Sequence, residues 1–342
     1  MTKTAVIVFN LGGPDSLKAV RPFLFNLFND RAIINLPQPF RFIVAFFLSL
    51  MRRGRARAMY QQIGGKSPLL DLTTAQAQAL EAKLKPKGDY KVFVSMRYWH
   101  PMSDIVVKNV KAWKPDHIIL LPLYPQFSTT TTGSSFTDWD AACKKSGLSV
   151  PSTRICCYPI DRDFVTAHVK LLKDMYWKAS EEGKPRVLFS AHGLPEKIIA
   201  SGDPYQWQIE RTVAAIRQVI AIEDMDYAVC YQSRVGPMHW IGPSTEEEII
   251  RASLDKKAIL VVPIAFVSEH SETLVELDID YRKLAKVNGA RGYWRVPALG
   301  VEPFFIDALA GLCLNVNREE KIASFSGARF CQRNFDKCVC VG

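Results

Sequence analysis

The feature that most constrains this chain is a series of eight short, mainly apolar runs, several of them rich in β-branched residues, at 5–9, 92–95, 117–121, 154–158, 187–190, 227–231, 259–264 and 292–296. A strand with one wet face alternates apolar and polar residues. A strand that is apolar throughout is covered on both faces, which happens in parallel sheets flanked by helices. Helical stretches at 73–84, 164–181, 205–222, 246–253 and 272–287 separate several of the runs. This alternation predicts an α/β protein of doubly wound parallel sheets. A chain of 342 residues exceeds one ordinary core of about 150, so two such halves are expected.

Open parallel sheets bind ligands beyond the carboxyl ends of their strands. The residues that follow the runs are therefore the ones to inspect. They are Asn10-Leu-Gly-Gly-Pro14, Arg97-Tyr-Trp-His-Pro101, Tyr124-Pro-Gln-Phe-Ser128 and the hydroxyl-rich stretch to Ser135, Ala191-His-Gly-Leu-Pro195, the loop 232–240, and Phe266-Val-Ser-Glu-His-Ser-Glu272. Any one loop reads as ordinary turn chemistry. Six loops that bring aromatics, hydroxyls, cations and histidines to one rim point to a binding site.

No acid occurs between Asp30 and Asp71, while Arg31, Arg41, Arg52, Arg53, Arg55, Arg57 and Lys66 do. The apolar piece 42–51 inside this window is about half the roughly 20 residues needed to span a bilayer, so it is either a buried helix or an interfacial one. Flanking arginines suit an anionic membrane surface, as does the formal charge of +10. No recognised nucleic-acid motif accompanies the charge, and no nucleic-acid partner is expected. The N-terminus reads as a first strand without a cleavage site, so the chain is expected to stay where it is made, in a reducing compartment, the cytoplasm.

Glu272, Glu276 and Asp280 recur at i, i+4 and i+8, with Glu269 just before them. On a helix they form one column, either a solvated acidic face or a row of oxygen ligands that passes a divalent cation along. His192 and His270 add imidazole, which suits iron and zinc. Of eight cysteines, Cys331, Cys338 and Cys340 crowd the tail, a poor place to bury thiols. A [2Fe–2S] cluster or a structural zinc needs four soft ligands, so a fourth must come from elsewhere. Cys156 and Cys157 should point to opposite faces of a regular strand.

Nearly the whole chain, about residues 4–315, resembles the ferrochelatases. The resemblance rests on the strand-end motifs above together with Tyr60-Gln-Gln-Ile-Gly-Gly-Lys-Ser-Pro68, Phe189-Ser-Ala-His192, residues 231–238 and Glu276-Leu-Asp-Ile-Asp280. It implies two Rossmann-like, chelatase-like domains, at 1–125 with a porphyrin and membrane lip at 36–57 and at 126–302, and a C-terminal extension 303–342. It implies insertion of Fe2+ into protoporphyrin IX, the last step of haem synthesis, by an enzyme peripherally associated with the inner membrane. The oligomeric state is left open, a homodimer being one option.

By the same resemblance His192 and Glu272 are catalytic and face each other across the macrocycle. Leu11, Arg52, Arg55, Ser67, Arg97, Tyr98, Tyr124, Trp240, Phe266 and His270 bind substrate. His192, Glu272, Glu276 and Asp280 line the iron path. Leu11 stands where the coproporphyrin-using branch has tyrosine, which tilts the substrate toward protoporphyrin IX. Cys157, with Cys156 as the alternative, joins Cys331, Cys338 and Cys340 around a [2Fe–2S] cluster.

Overall fold

The computed structural model describes residues 2–234 and 238–340. Among these, nine strands form two sheets: β1 Thr4–Asn10, β2 Tyr90–Met96, β3 His117–Pro122, β4 Ser152–Ile155, β5 Arg186–His192, β6 Tyr227–Gln232, β7 Ala258–Pro263, β8 Gly292–Arg295 and β9 Ile322–Ala323. The α-helices are α1 Val20–Phe28, α2 Phe40–Gln61, α3 Leu69–Leu84, α4 Ser103–Trp113, α5 Ser134–Ser146, α6 Arg162–Ser180, α7 Glu196–Ala200, α8 Tyr205–Ile220, α9 Thr245–Leu254, α10 Tyr281–Val287 and α11 Pro303–Asn315. All strand pairings are parallel, as the continuous apolar runs require.

The chain divides into two compact units, Met1–Cys157 with Leu309–Phe330 and Val339–Gly342, and Tyr158–Ala308 with Cys331–Cys338. The division falls after Cys157 and not at 125, because β4 pairs with β3 and extends the first sheet. The extension is no separate appendage either. Its strand β9 pairs with β4, and the Phe325 N–H donates to the Cys157 carbonyl at 3.1 Å.

The first sheet runs β2-β1-β3-β4-β9. Ala5, Ile7 and Phe9 of β1 pack with Val106, Val107 and Val110 of α4 and with Phe136 and Trp139 of α5. The alternate residues Val6 and Val8 are equally buried, so both faces are covered. Because β4 ends at Ile155, Cys156 and Cys157 lie beyond the strand. Their sulfurs stand 3.4 Å apart instead of on opposite faces.

The apolar piece at 42–51 is the first half of the 22-residue helix α2. Only Ala45, Ser49 and Tyr60 of that helix are buried. Phe40, Phe42, Ile43, Phe46, Phe47 and Met51 are exposed, followed by exposed Arg52, Arg53, Arg55 and Arg57. Small residues turned inward let α2 lie on α1, held by a Phe25–Phe42 edge contact at 5.1 Å, while the bulky side chains face out. No helix among the described residues is long and apolar enough to cross a membrane.

The second sheet runs β6-β5-β7-β8. One face packs Leu188, Ile259, Val261 and Tyr293 against Ile249 and Ala252 of α9 and Tyr281 and Ala285 of α10; α6 covers β7 and β8. On α6, His168 is buried edge-on to Phe164 at 4.8 Å, and its Nε2 has no hydrogen-bond partner. Burial pushes its pKa down to about 3, against about 6.5 in the unfolded chain. The unfolded state therefore binds the extra proton, and stability falls as pH drops from about 6.5 toward 3, by up to about 1.4 kcal/mol per unit. His168→Leu is expected to flatten this acid limb of the urea-midpoint profile; an unchanged slope in that variant would exclude the buried neutral imidazole.

Candidate active site

In the second sheet β5 lies between β6 and β7, so the chain leaves to opposite sides of it and opens a crevice at its carboxyl end. His192 is the last residue of β5, Ser233 the first after β6, and 266–272 follows β7. Topology alone thus gathers these residues at one rim.

His192 Nδ1 and Glu272 Oε2 are 3.0 Å apart, with the imidazole N–H donating. The Tyr205 hydroxyl donates to the His192 carbonyl at 3.1 Å and fixes the strand end. Ser233 has φ +62°, a left-handed conformation that a serine rarely adopts. There its amide N–H donates to Glu276 Oε1 at 2.9 Å, and its hydroxyl reaches Glu276 Oε2 and lies 3.3 Å from Glu272 Oε2. The Tyr281 hydroxyl donates to Glu276 at 2.9 Å. His270, buried against the Phe266 ring at 4.6 Å, brings Nε2 to 4.0 Å from Glu272, and its Nδ1 has no partner.

The charges separate by environment. Burial disfavours the His192 imidazolium, yet the charge and hydrogen bond of Glu272, assisted by Glu276, raise its pKa above the usual 6.5. Burial likewise opposes the Glu272 carboxylate, but His192 outweighs it and holds the carboxyl down at about 2. Glu276 goes the other way, raised by burial and then by the charge of Glu272. Burial lowers the pKa of His270. The cluster therefore pairs an ionised carboxylate with a basic imidazole, beside a second carboxylate that is more basic than an ordinary glutamate.

Two expectations change. Groups on opposite faces of a flat ring must stand about 7 Å apart, twice a contact of about 3.5 Å. At 3.0 Å His192 and Glu272 leave no room for a macrocycle between them and form one hydrogen-bonded pair. The expected α-helix over 272–287 is π-helical from Glu272 to Asp280 and α-helical only in α10. Tertiary hydrogen bonds to Glu272 and Glu276 outweigh α propensity here, and such wide turns occur at functional sites. Asp280, at the far end, is exposed and outside the hydrogen-bonded cluster. Among the described residues no three His, Cys, Asp or Glu side chains form a metal-holding group.

Trp240 lies half-buried with its indole N–H buried and unpartnered, next to Pro195 through a β-bridge. Residues 235–237 of its loop lie outside the described residues. Sequence reasoning singled out the loop that contains Ser233 but gave that serine no role, and it passed over Tyr205 and Tyr281, because two tyrosines in apolar stretches carry no distinguishing pattern.

Leu11, Arg52, Arg55, Ser67, Arg97, Tyr98 and Tyr124 belong to the first unit. Leu11 packs against the cluster of Val20, Phe23, Leu24, Tyr60 and Tyr98, and Ser67 closely approaches the loop after β1: a Cβ on Gly13 would come within 2.4 Å of Ser67 Oγ, so only glycine fits there. Arg52 and Arg55 are exposed on α2, with Arg52 above the Phe28 ring at 5.8 Å. Arg97 and Tyr98 are less free than expected. Arg97 donates to Asp30 at 2.9 Å and to Ser134 at 2.7 Å, and the buried Tyr98 hydroxyl donates to Asp30 at 2.7 Å. Tyr98 is a core residue here, since its ring is 1 % exposed. Tyr124 is half-buried against the first core. The tail thiols are buried after all, because the tail packs down, with Phe335 on Trp207 at 5.4 Å and the Lys337 N–H donating to the Gly202 carbonyl. Gln208 Nε2 donates to Cys331 Sγ at 3.0 Å.

The family described as Ferrochelatase matches residues 3–316. A Ferrochelatase of Wolbachia sp. subsp. Drosophila simulans (strain wRi) is 54% identical over 316 residues, covering 92% of this chain and 99% of its own. One from Pelagibacter ubique (strain HTCC1062) is 49% identical over 343 residues, covering 99% of both chains. Among solved structures, SirB from Bacillus subtilis with Fe3+ superposes with a TM-score of 0.51 at 14% identity, covering 90% of this chain and 93% of that one, which is a likeness of fold. With its two parallel α/β sheets, its strand-end motifs and relatives matched end to end, the chain belongs to the ferrochelatase family.

Proposed function

We propose that this chain is a lyase that inserts Fe2+ into protoporphyrin IX, releasing two protons, with the His192–Glu272 pair as its proton acceptor. The observation that carries the residue assignment is that pair at the switch point of the second sheet, backed by Ser233 and Glu276.

A free-base porphyrin holds its pyrrole protons in the plane, so iron reaches all four nitrogens only when the ring bends and two protons leave. Binding energy from the ring edges and propionates can hold the bent form, which lowers the barrier without touching the reacting centre. Arg52 and Arg55, exposed on α2, suit the propionates. Neutral His192 takes a pyrrole proton on Nε2, because Nδ1 is committed to Glu272. The imidazolium so formed is stabilised by the adjacent carboxylate. Glu276, hydrogen-bonded through Ser233 to the same pair, is placed to take that proton onward, which returns His192 to its neutral form to accept the second pyrrole proton. Leu11 favours protoporphyrin, whose vinyls suit an apolar neighbour.

The outward phenylalanines and following arginines of α2 support peripheral attachment to anionic membrane, on the cytoplasmic side of the inner membrane. Replacing Phe42 and Phe47 by serine is expected to weaken co-sedimentation with anionic vesicles by about ten-fold or more. Unchanged sedimentation would remove α2 as the anchor.

What supports a [2Fe–2S] cluster is donor chemistry alone, the soft thiols of Cys331, Cys338 and Cys340 with Cys157 or Cys156 and the Gln208 amide on the Cys331 sulfur, the kind of outer partner such ligands have; no three of these thiols form a metal-holding group among the described residues. When bound, the cluster would supply one-electron redox chemistry; no step above uses it.

An anaerobic assay of Fe2+ insertion into protoporphyrin and coproporphyrin, with an absorption spectrum and sulfide determination on the purified protein, tests these readings together. Turnover of excess protoporphyrin supports the enzyme. Stoichiometric haem binding without turnover would indicate a carrier, preference for coproporphyrin would shift the substrate, and absence of sulfide would remove the cluster.

A further inference from the structure

The π-helical segment that presents Glu272 and Glu276 has an unusual support on its other side. Tyr293 and Arg295 sit two residues apart on β8, so their side chains leave the strand on the same face. The Tyr293 hydroxyl donates to the backbone carbonyl of Leu277, in the middle of the wide coil, at 2.5 Å. Arg295 donates through Nε and Nη2 to both carboxylate oxygens of Asp278, at 2.9 and 2.7 Å, and through Nη1 to Glu269 at 2.9 Å. Glu269 in turn accepts the Ala298 N–H. The guanidinium is 9 % exposed, so this fork is shielded from water and geometrically specific.

A hydroxyl bonded to a helix carbonyl competes with the intrahelical ladder and favours a widened turn. Arg295 meanwhile ties the loop just before the segment to a residue near its end. We propose that Tyr293 and Arg295 are positioning residues that brace residues 272–280 in the π conformation, so that Glu272 and Glu276 stay turned toward His192 and Ser233. Neither touches the reacting groups; they act through the coil. This rests on the assignment of Glu272 and Glu276 to proton handling during iron insertion. The brace itself is a statement about the segment's backbone, so it can be tested apart from that assignment.

Tyr293→Phe removes one hydroxyl and keeps the ring in the core. Arg295→Lys keeps the charge and loses the fork. Both are compared with the unaltered protein by steady-state insertion, varying Fe2+ and protoporphyrin separately, and by amide hydrogen exchange over 272–280. The expected result is faster exchange confined to that segment. With it comes a several-fold fall in kcat/KM for Fe2+, while the KM for protoporphyrin and the melting temperature of Tyr293→Phe stay nearly unchanged. Unaltered exchange over 272–280 in Tyr293→Phe overturns the brace, even if Arg295→Lys fails to fold. Altered exchange with undiminished iron kinetics keeps the brace as a structural fact but overturns its positioning role. If the unaltered protein inserts no iron, the functional reading fails and the exchange result still decides the brace.

Discussion

His192→Ala is expected to lower kcat for iron insertion by about 10²–10⁴-fold, the usual contribution of a positioned general base, with protoporphyrin still bound. The imidazole is fixed from two sides, its backbone carbonyl by Tyr205 and its Nδ1 by Glu272. Nε2 is thereby left as the acceptor. His270 is buried under Phe266 and belongs to the loop after β7, so it does not replace His192. Because the substitution removes a group that acts on the proton and not on the ring edges, kcat and kcat/KM should fall together. Stopped assays with porphyrin quenching as a separate binding measurement distinguish the two. Turnover near that of the unaltered protein would exclude His192 as the base.

The parts of this molecule that sequence revealed are those where local pattern and tertiary environment agree. The continuous apolar runs became parallel strands because no other environment buries every residue of a strand, and His192 followed from its place after one of them. Where tertiary contacts overrule local preference, the pattern was silent. The spacing of Glu272, Glu276 and Asp280 fits an α-helix, and only the hydrogen bonds from His192, Ser233, Tyr281 and Tyr293 explain why the chain takes the wider coil. Cys156 and Cys157 depart from the expected alternation for a related reason: the strand stops three residues earlier than its apolar run. Arg97 and Tyr98 looked available because nothing in the sequence links them to Asp30, 67 and 68 residues away. For α2, composition showed an apolar half and a basic half, but only packing showed that Ala45 and Ser49 turn inward and the phenylalanines outward.

Glu272→Gln tests the pair and not the imidazole alone. In the unaltered protein the carboxylate raises the pKa of His192 above 6.5, so the neutral, proton-accepting form is fully present only above that raised value. The acid limb of kcat/KM should therefore lie above pH 6.5. Glutamine keeps the size of the side chain but removes the charge, leaving burial as the dominant influence on His192, and burial lowers the pKa. The limb should move to below pH 6.5. The rate on the plateau should nonetheless drop by about 10²-fold or more, because the imidazolium formed during reaction loses its counter-charge and Nδ1 loses its fixed acceptor. The two changes have opposite signs at pH 6, where more of the variant carries a free base and each free base is less effective. A merely structural role for Glu272 would lower the rate and leave the limb where it was. An unmoved limb with normal folding would therefore separate Glu272 from the chemistry, whatever the loss of rate.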